Sequence, residues 1–200
     1  MARSFQWDPV IARFRDADTG RYISRDAVRQ AVDLLILKAQ DRIRIASNEL
    51  RSGNISIGEW QSIMRDQIKN THLATEALLR GGWAQMTQAD FGRVGQRVRE
   101  QYDYLANFTQ ELLDGIVVTD GRFMSRAGMY PASARTGYHE EETLQLQQLG
   151  YTEERNVLRP AEHCDVCVEQ TALDWVPIGS LIPIGDRTCL SNDKCFKQYR

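Results

Sequence analysis

Apolar residues return every third or fourth position through three long stretches of this chain, each closed by glycine, and the period is lost beyond Tyr151. Such spacing places the apolar side chains on one face of an α-helix. In the first stretch Ser24 offers an N-cap hydroxyl. Val28, Val32, Leu35, Ala39, Ile43, Ala46 and Leu50 form the stripe, and Ser52-Gly53 ends it. The second opens with Ser56-x-x-Glu59, a capping box in which hydroxyl and carboxylate each satisfy a free backbone amide. Trp60, Met64, Ile68, Thr71 and Leu78 follow on one face, up to Gly81-Gly82. The third begins at Thr87 or Asp90 and carries Phe91, Val94, Val98, Leu105, Phe108 and Leu112 before Gly115. Gly92 and Gly95 in its first turns each cost about 1 kcal/mol of helix propensity, which predicts a close helix crossing there. Gly92-x-x-Gly95 follows no strand, so it does not read as a nucleotide-binding loop.

A fourth helical stretch, Arg122 to Leu149, contains Pro131, whose ring removes an amide and predicts a kink or break after Tyr130. Before the first helix, Asp16-Ala-Asp18-Thr-Gly20 reads as a turn, and Arg21-Tyr22-Ile23 as the second strand of a small hairpin. Long helices joined by short loops favour antiparallel packing. The expected architecture is mainly α. It comprises an N-terminal arm or hairpin over 1–23, an elongated antiparallel helical bundle over 24–151, and a small irregular cysteine module over 152–200.

That last segment holds every cysteine, as Cys164-x2-Cys167 and Cys189-x5-Cys195, separated by the Pro- and Gly-rich run Trp175 to Gly185. Two short-spaced thiol pairs suit a tetrahedral metal ion, since each pair can offer two sulfurs from one side. By spacing alone they also suit two disulfides, and free thiols remain a third reading. The start Met-Ala-Arg-Ser-Phe-Gln-Trp shows no apolar leader, and no stretch is apolar enough to span a membrane. Thiols kept reduced favour a metal over cystines, and structural zinc is the ion expected on Cys164, Cys167, Cys189 and Cys195. His163, beside Cys164, is the substitute ligand, although a His in that place more commonly hydrogen-bonds near such a site.

Composition narrows the function. Charged residues make up 26% of the chain and the net charge is −2, so no basic excess exists to neutralise a phosphate backbone. Beyond Arg159, the acids Glu162, Asp165, Glu169, Asp174, Asp186 and Asp193 outnumber the bases Arg187, Lys194, Lys197 and Arg200. Those four bases are the expected points of any DNA contact, or of pairing with an acidic partner. His139-x-Glu141 ahead of Cys164-x-x-Cys167 resembles the zinc-deaminase signature. However, His163 stands where that signature has proline, and Cys189 and Cys195 would be idle. Glu140-Glu141-Glu142 reads as a solvated helix face, and His72 as a satisfied surface or interior residue. Trp83, Tyr102, Tyr104 and Phe108 read as core before they read as base-stacking residues. No catalytic constellation emerges, and the expectation is a protein that is not an enzyme.

Glu154-Arg155-Asn156-Val157-Leu158, then His163-Cys164-x-x-Cys167, Trp175-Val-Pro177-Ile-Gly179 and Ile184-Gly-Asp-Arg187-Thr188-Cys189 carry a family resemblance. With Gly82-Trp83-Ala-Gln-Met86, Arg126-Ala-Gly-Met-Tyr130 and Ala134-Arg135, the chain resembles the minor head or head-morphogenesis proteins of tailed bacteriophages, the group related to the phage Mu F protein. The resemblance implies a non-enzymatic virion protein that acts at the portal vertex or in head morphogenesis, in many copies around a ring. Its partners would then be the portal and capsid proteins of the same phage. A head–tail connector subunit is the alternative, and a zinc-dependent nucleic-acid-binding regulator a further one. Many relatives end in a tighter C-x-C cluster, whereas five residues separate Cys189 from Cys195 here, which leaves Asp193 or His163 to complete the set.

Overall fold

A computed structural model describes residues 5–190 and 193–200 of the chain, so the first four residues of the expected N-terminal arm lie outside the described residues. The arm contains β1 (Phe5–Asp8), β2 (Arg13–Asp16) and β3 (Tyr22–Ile23), an antiparallel sheet in that order rather than the single hairpin expected. Asp16 shapes the connecting turn, its Oδ1 accepting from the amides of Asp18 and Thr19. Phe5 and Phe14 point to the buried side, and Trp7 packs on Phe14 with ring centroids 4.7 Å apart.

The helices form where the periodicity places them: α1 (Arg25–Arg51), α2 (Ile57–Arg80) and α3 (Gln88–Leu113). Ser24 caps α1 through the Ala27 amide, and Ser56 with Glu59 closes the expected capping box of α2. Thr87 and Asp90 form a second capping box on α3. In the stripes, Ile36 is buried in place of Leu35 and Leu79 in place of Leu78, while Phe91 is exposed. Each substitute lies one residue from the expected one, about 100° around the helix, and packing between helices decides which turns inward. α1 packs on α2, and α2 on α3. The close crossing expected at Gly92 and Gly95 is absent: a Cβ at either position would meet nothing within 4 Å. The close approach lies at Gly81, where a side chain would collide with the backbone of Trp7.

Pro131 lies in the last turn of α4 (Gly121–Ala132), and Ser133 separates it from α5 (Ala134–Gln148), so the break follows the proline closely. Within α1–α4, Trp60, Phe108, Phe123 and Tyr130 form a continuous aromatic centre, with Phe108 and Tyr130 stacked at 6.0 Å. Trp60 Nε1 donates to Ser47 Oγ at 3.0 Å, which satisfies the one polar atom of that ring.

The chain divides into two compact units, Met1–Ala134 and Arg135–Arg200, so nearly all of α5 groups with the cysteine segment. The expectation of a solvated face over Glu140–Glu142 is overturned, as Glu141 and Glu142 are each 1% exposed. Glu142 Oε1 accepts from Tyr138 Oη at 3.1 Å, and its other oxygen lies 3.6 Å from His139 Nδ1. Polar partners on the same helix replace water for Glu142. The rest of the second unit is less irregular than expected. β4 (Glu153–Val157) is the centre of an antiparallel sheet with β5 (Val176–Pro177) on one side and β6 (Phe196–Tyr199) on the other, and α6 (Asp165–Ala172) packs on β4. The molecule is thus mainly helical, with small strand assemblies at both ends of the sequence. No described helix is long and apolar enough to cross a membrane.

Candidate metal centre

β4 inverts the usual alternation. Its inward residues are Glu154 and Asn156, 0% and 2% exposed, while Glu153, Arg155 and Val157 lie toward the surface. Buried polar groups in a small module need built partners, and each has them. Glu154 Oε2 meets Lys197 Nζ at 3.0 Å across the β4–β6 pair, and Glu154 Oε1 accepts from the Leu181 amide at 2.8 Å. Lys197 Nζ also donates to the Leu181 carbonyl at 3.3 Å, so one ion pair holds the Pro- and Gly-rich loop on the sheet. Burial pushes the Lys197 ammonium below its ordinary range, partly offset by Glu154. Asn156 Nδ2 donates to the Cys167 carbonyl at 3.1 Å and to Thr171 Oγ1 at 2.7 Å, which fixes the α6 end of the Cys-x-x-Cys segment.

Cys164 is the N-cap residue of α6 and Cys167 lies in its first turn, so both sulfurs face one point. The loop after β5 brings Cys189 to them. The Sγ atoms stand 3.0 Å (Cys164–Cys189), 3.4 Å (Cys164–Cys167) and 3.5 Å (Cys167–Cys189) apart. A disulfide needs about 2.05 Å, so the disulfide reading has no bonded pair and all four cysteines are free. Four sulfurs at about 2.3 Å around a tetrahedral ion would stand about 3.8 Å apart. The triangle is slightly tighter than that and needs only small outward shifts to open around one. Cys195 approaches from the other side: its sulfur, that of Cys167 and a carboxylate oxygen of Asp193 all lie within 4.8 Å of one another. Cys167, fully buried, is common to both groups. The donors fit a soft divalent metal.

His163 lies at the edge of this set. Its Nε2–H donates to the Arg159 carbonyl at 2.6 Å, which leaves Nδ1 with its lone pair 3.8 Å from Cys195 Sγ. The ring is hydrogen-bonded beside the cysteines, as is common for a His in that place. Its Nδ1 still faces the cluster.

Without a metal the thiols differ sharply. A hydrogen bond from Cys189 lowers Cys164 to about 7. Burial pushes Cys167 up to about 11 and Cys189 to about 12, and also raises Cys195. Cys164 is therefore the most readily ionised thiol of the metal-free cluster, and binding an ion would release protons from the thiols.

The other candidates separate. His139 joins no metal-ligand group among the described residues, so the deaminase-like pairing with Cys164 and Cys167 is not assembled. Arg187 and Lys197 are 2% and 6% exposed and hydrogen-bonded inside the module, which removes them from any DNA-contact surface. Arg200 pairs with Glu153 at 2.6 Å and lies over the Trp175 ring, and Lys194 is exposed. Phe108 and His72 are buried as expected, whereas Trp83 and Tyr104 are more than half exposed and Tyr102 is half-buried. What spacing did not reveal is the buried polar frame of Asn156, Glu154, Arg187 and Lys197. The one sequence signal for it was charge placed in a strand-length segment. Comparison with protein families, with curated proteins and with solved structures finds no match to the chain.

Proposed function

We propose that the chain is a non-enzymatic assembly protein of a tailed-phage virion, acting at the portal vertex or in head morphogenesis, with zinc as the structural ion of its C-terminal unit. The observation that carries the metal half is the convergence of Cys164, Cys167 and Cys189, with Cys195 and Asp193 alongside, at non-bonded distances. Zinc suits this donor set because it favours four sulfur or nitrogen ligands and adds no redox chemistry. A unit of this size, with polar residues at its inward strand positions, buries little apolar surface and needs such a staple. The assembly half rests on the motif resemblance over Glu154–Leu158, His163–Cys167 and Trp175–Cys189, together with a net charge of −2 and the lack of a catalytic constellation. An elongated antiparallel arrangement of α1–α4 would suit repetition around a symmetric ring, where weak contacts multiply.

Native mass spectrometry of the purified chain, alone and with the portal protein encoded in the same genome, tests both halves. One zinc per chain, removed by chelator with loss of C-terminal structure, is the expected result for the metal. A multi-copy complex with the portal ring is expected for the assembly role. A metal-free chain with intact disulfides would overturn the zinc assignment. A chain that binds zinc but ignores portal and capsid proteins, and is missing from purified particles, would overturn the virion role alone.

A further inference from the structure

A buried cation stands beside the metal centre, and the ligand set alone gives no reason for it. The Arg187 side chain is 0% exposed. Its Nη1 donates to Asn156 Oδ1 at 2.8 Å and lies 3.8 Å from Cys167 Sγ, and its Nε and Nη2 donate to the Ile182 carbonyl at 3.3 and 3.2 Å. Nη1 also faces Asp193 Oδ2 at 3.5 Å. One planar fork thereby joins β4, the Cys-x-x-Cys helix, the loop that leads to Cys189 and the segment that leads to Cys195. A lysine ammonium has no such reach, since its three donors spread from one point.

Charge explains why an arginine is buried there. A guanidinium withdrawn from water needs compensating negative charge nearby. Asp193 provides one such charge, and protonated thiols add none. Four thiolates around a divalent ion leave the centre with two net negative charges, and Arg187 is placed to offset one of them at Cys167. Asp193 is the other anion at hand, ion-paired with the guanidinium through an Oδ2 that accepts no hydrogen bond among the described residues. Oδ1 accepts from the Cys195 amide at 2.9 Å, and Oδ2 faces the guanidinium.

Resting on the metal reading above, we propose that Arg187 is the positioning residue of the metal centre. Its buried guanidinium holds the ligand-bearing segments together and stabilises the Cys167 thiolate of a four-cysteine site, and Asp193 serves as its partner rather than as a ligand.

Cobalt titration of the metal-free full-length chain, followed by displacement with zinc, tests this, because thiolate-to-cobalt charge-transfer absorption reports the number of sulfur ligands. Arg187→Met is expected to weaken metal binding roughly 10–100-fold, the usual effect of losing an outer-shell partner, with the four-sulfur spectrum kept. Arg187→Lys, which keeps charge but loses the fork, should fall between that variant and the wild type. Asp193→Asn should bind within about threefold of wild type with an unchanged spectrum, unlike Cys195→Ser, which should lose a sulfur signal. Wild-type affinity in both Arg187 variants would overturn the proposal. So would a spectral change and Cys-like loss in Asp193→Asn, which would make Asp193 a ligand. If Arg187→Met does not fold, the Arg187→Lys and Asp193→Asn results still decide. A wild-type chain that takes neither cobalt nor zinc would overturn the metal reading itself, and this inference with it.

Discussion

His72 keeps its place by a single-proton argument. Ser133 Oγ gives its hydrogen to the Tyr130 carbonyl at 2.6 Å, so it accepts from His72 Nε2–H at 3.0 Å. Burial, with the Arg97 charge as a smaller cause, lowers His72 from 6.5 to about 4. A folded-state value below the unfolded one means that the native state resists the proton. Its stabilising effect is therefore complete above about pH 6.5 and is lost as pH falls toward 4, by on the order of 3 kcal/mol in all. Urea unfolding at pH 7 and pH 4.5 should show a steeper acid loss in wild type than in His72→Gln; equal losses would refute the assignment. The Glu154–Lys197 pair is a second residue-scale test. Glu154→Gln leaves a buried ammonium without countercharge and should cost about 3–5 kcal/mol in denaturant unfolding, whereas the double change Glu154→Leu with Lys197→Met should recover most of it.

At the scale of elements, the helix ends are the parts specified most locally. Ser24, Ser56 and Thr87 each accept from an amide of the first turn that follows, and Gly53, Gly81 and Gly115 stand at the C-terminal ends with φ of 74°, 83° and 69°. Gly81 and Gly53 have similar backbone conformations but different surroundings. A Cβ at Gly53 meets nothing, whereas one at Gly81 collides with Trp7. Gly53→Ala should therefore cost only the left-handed conformation, about 1–2 kcal/mol, and Gly81→Ala at least that much again. Amide hydrogen exchange separates the two, because only Gly81→Ala should release protection over Phe5–Asp8. The elements that periodicity placed one residue off, at Leu35 and Leu78, show the limit of local reasoning. A stripe position on the edge of a helix face is settled by the neighbouring helix.

For the whole molecule, two compact units with different kinds of interior imply two different responses to metal removal. The first unit has an apolar and aromatic core around Trp60 and Phe108 that owes nothing to the cysteines. The second encloses a thiol cluster and a polar frame. Chelation under reducing conditions should abolish amide protection over β4, α6 and β6 while leaving α1–α3 protected, as followed by hydrogen exchange with mass spectrometry. Uniform loss along the chain would show that the units are not independent in stability. Full retention would show that the cysteine cluster carries no structural ion.

Periodicity, capping residues and glycine stops determined α1–α3 and the break near Pro131, because those signals act between residues three or four apart in sequence. Cysteine spacing likewise determined that Cys164 and Cys167 act together, since one helical turn carries both. Only the tertiary structure decided what lies inside the second unit. Glu154, Asn156, Arg187 and Lys197 look like solvated residues in a linear reading, because polar side chains are ordinarily left in water. They are inside because each finds its partner on another segment, Glu154 on Lys197 and Asn156 on Arg187. Glu141 and Glu142, which a run of three acids assigned to solvent, are buried as well, and Glu142 has its polar partners Tyr138 and His139 on its own helix. Pairing between distant segments leaves no period in the sequence, so the polar frame around the cysteine cluster becomes visible only once the strands and loops are brought together.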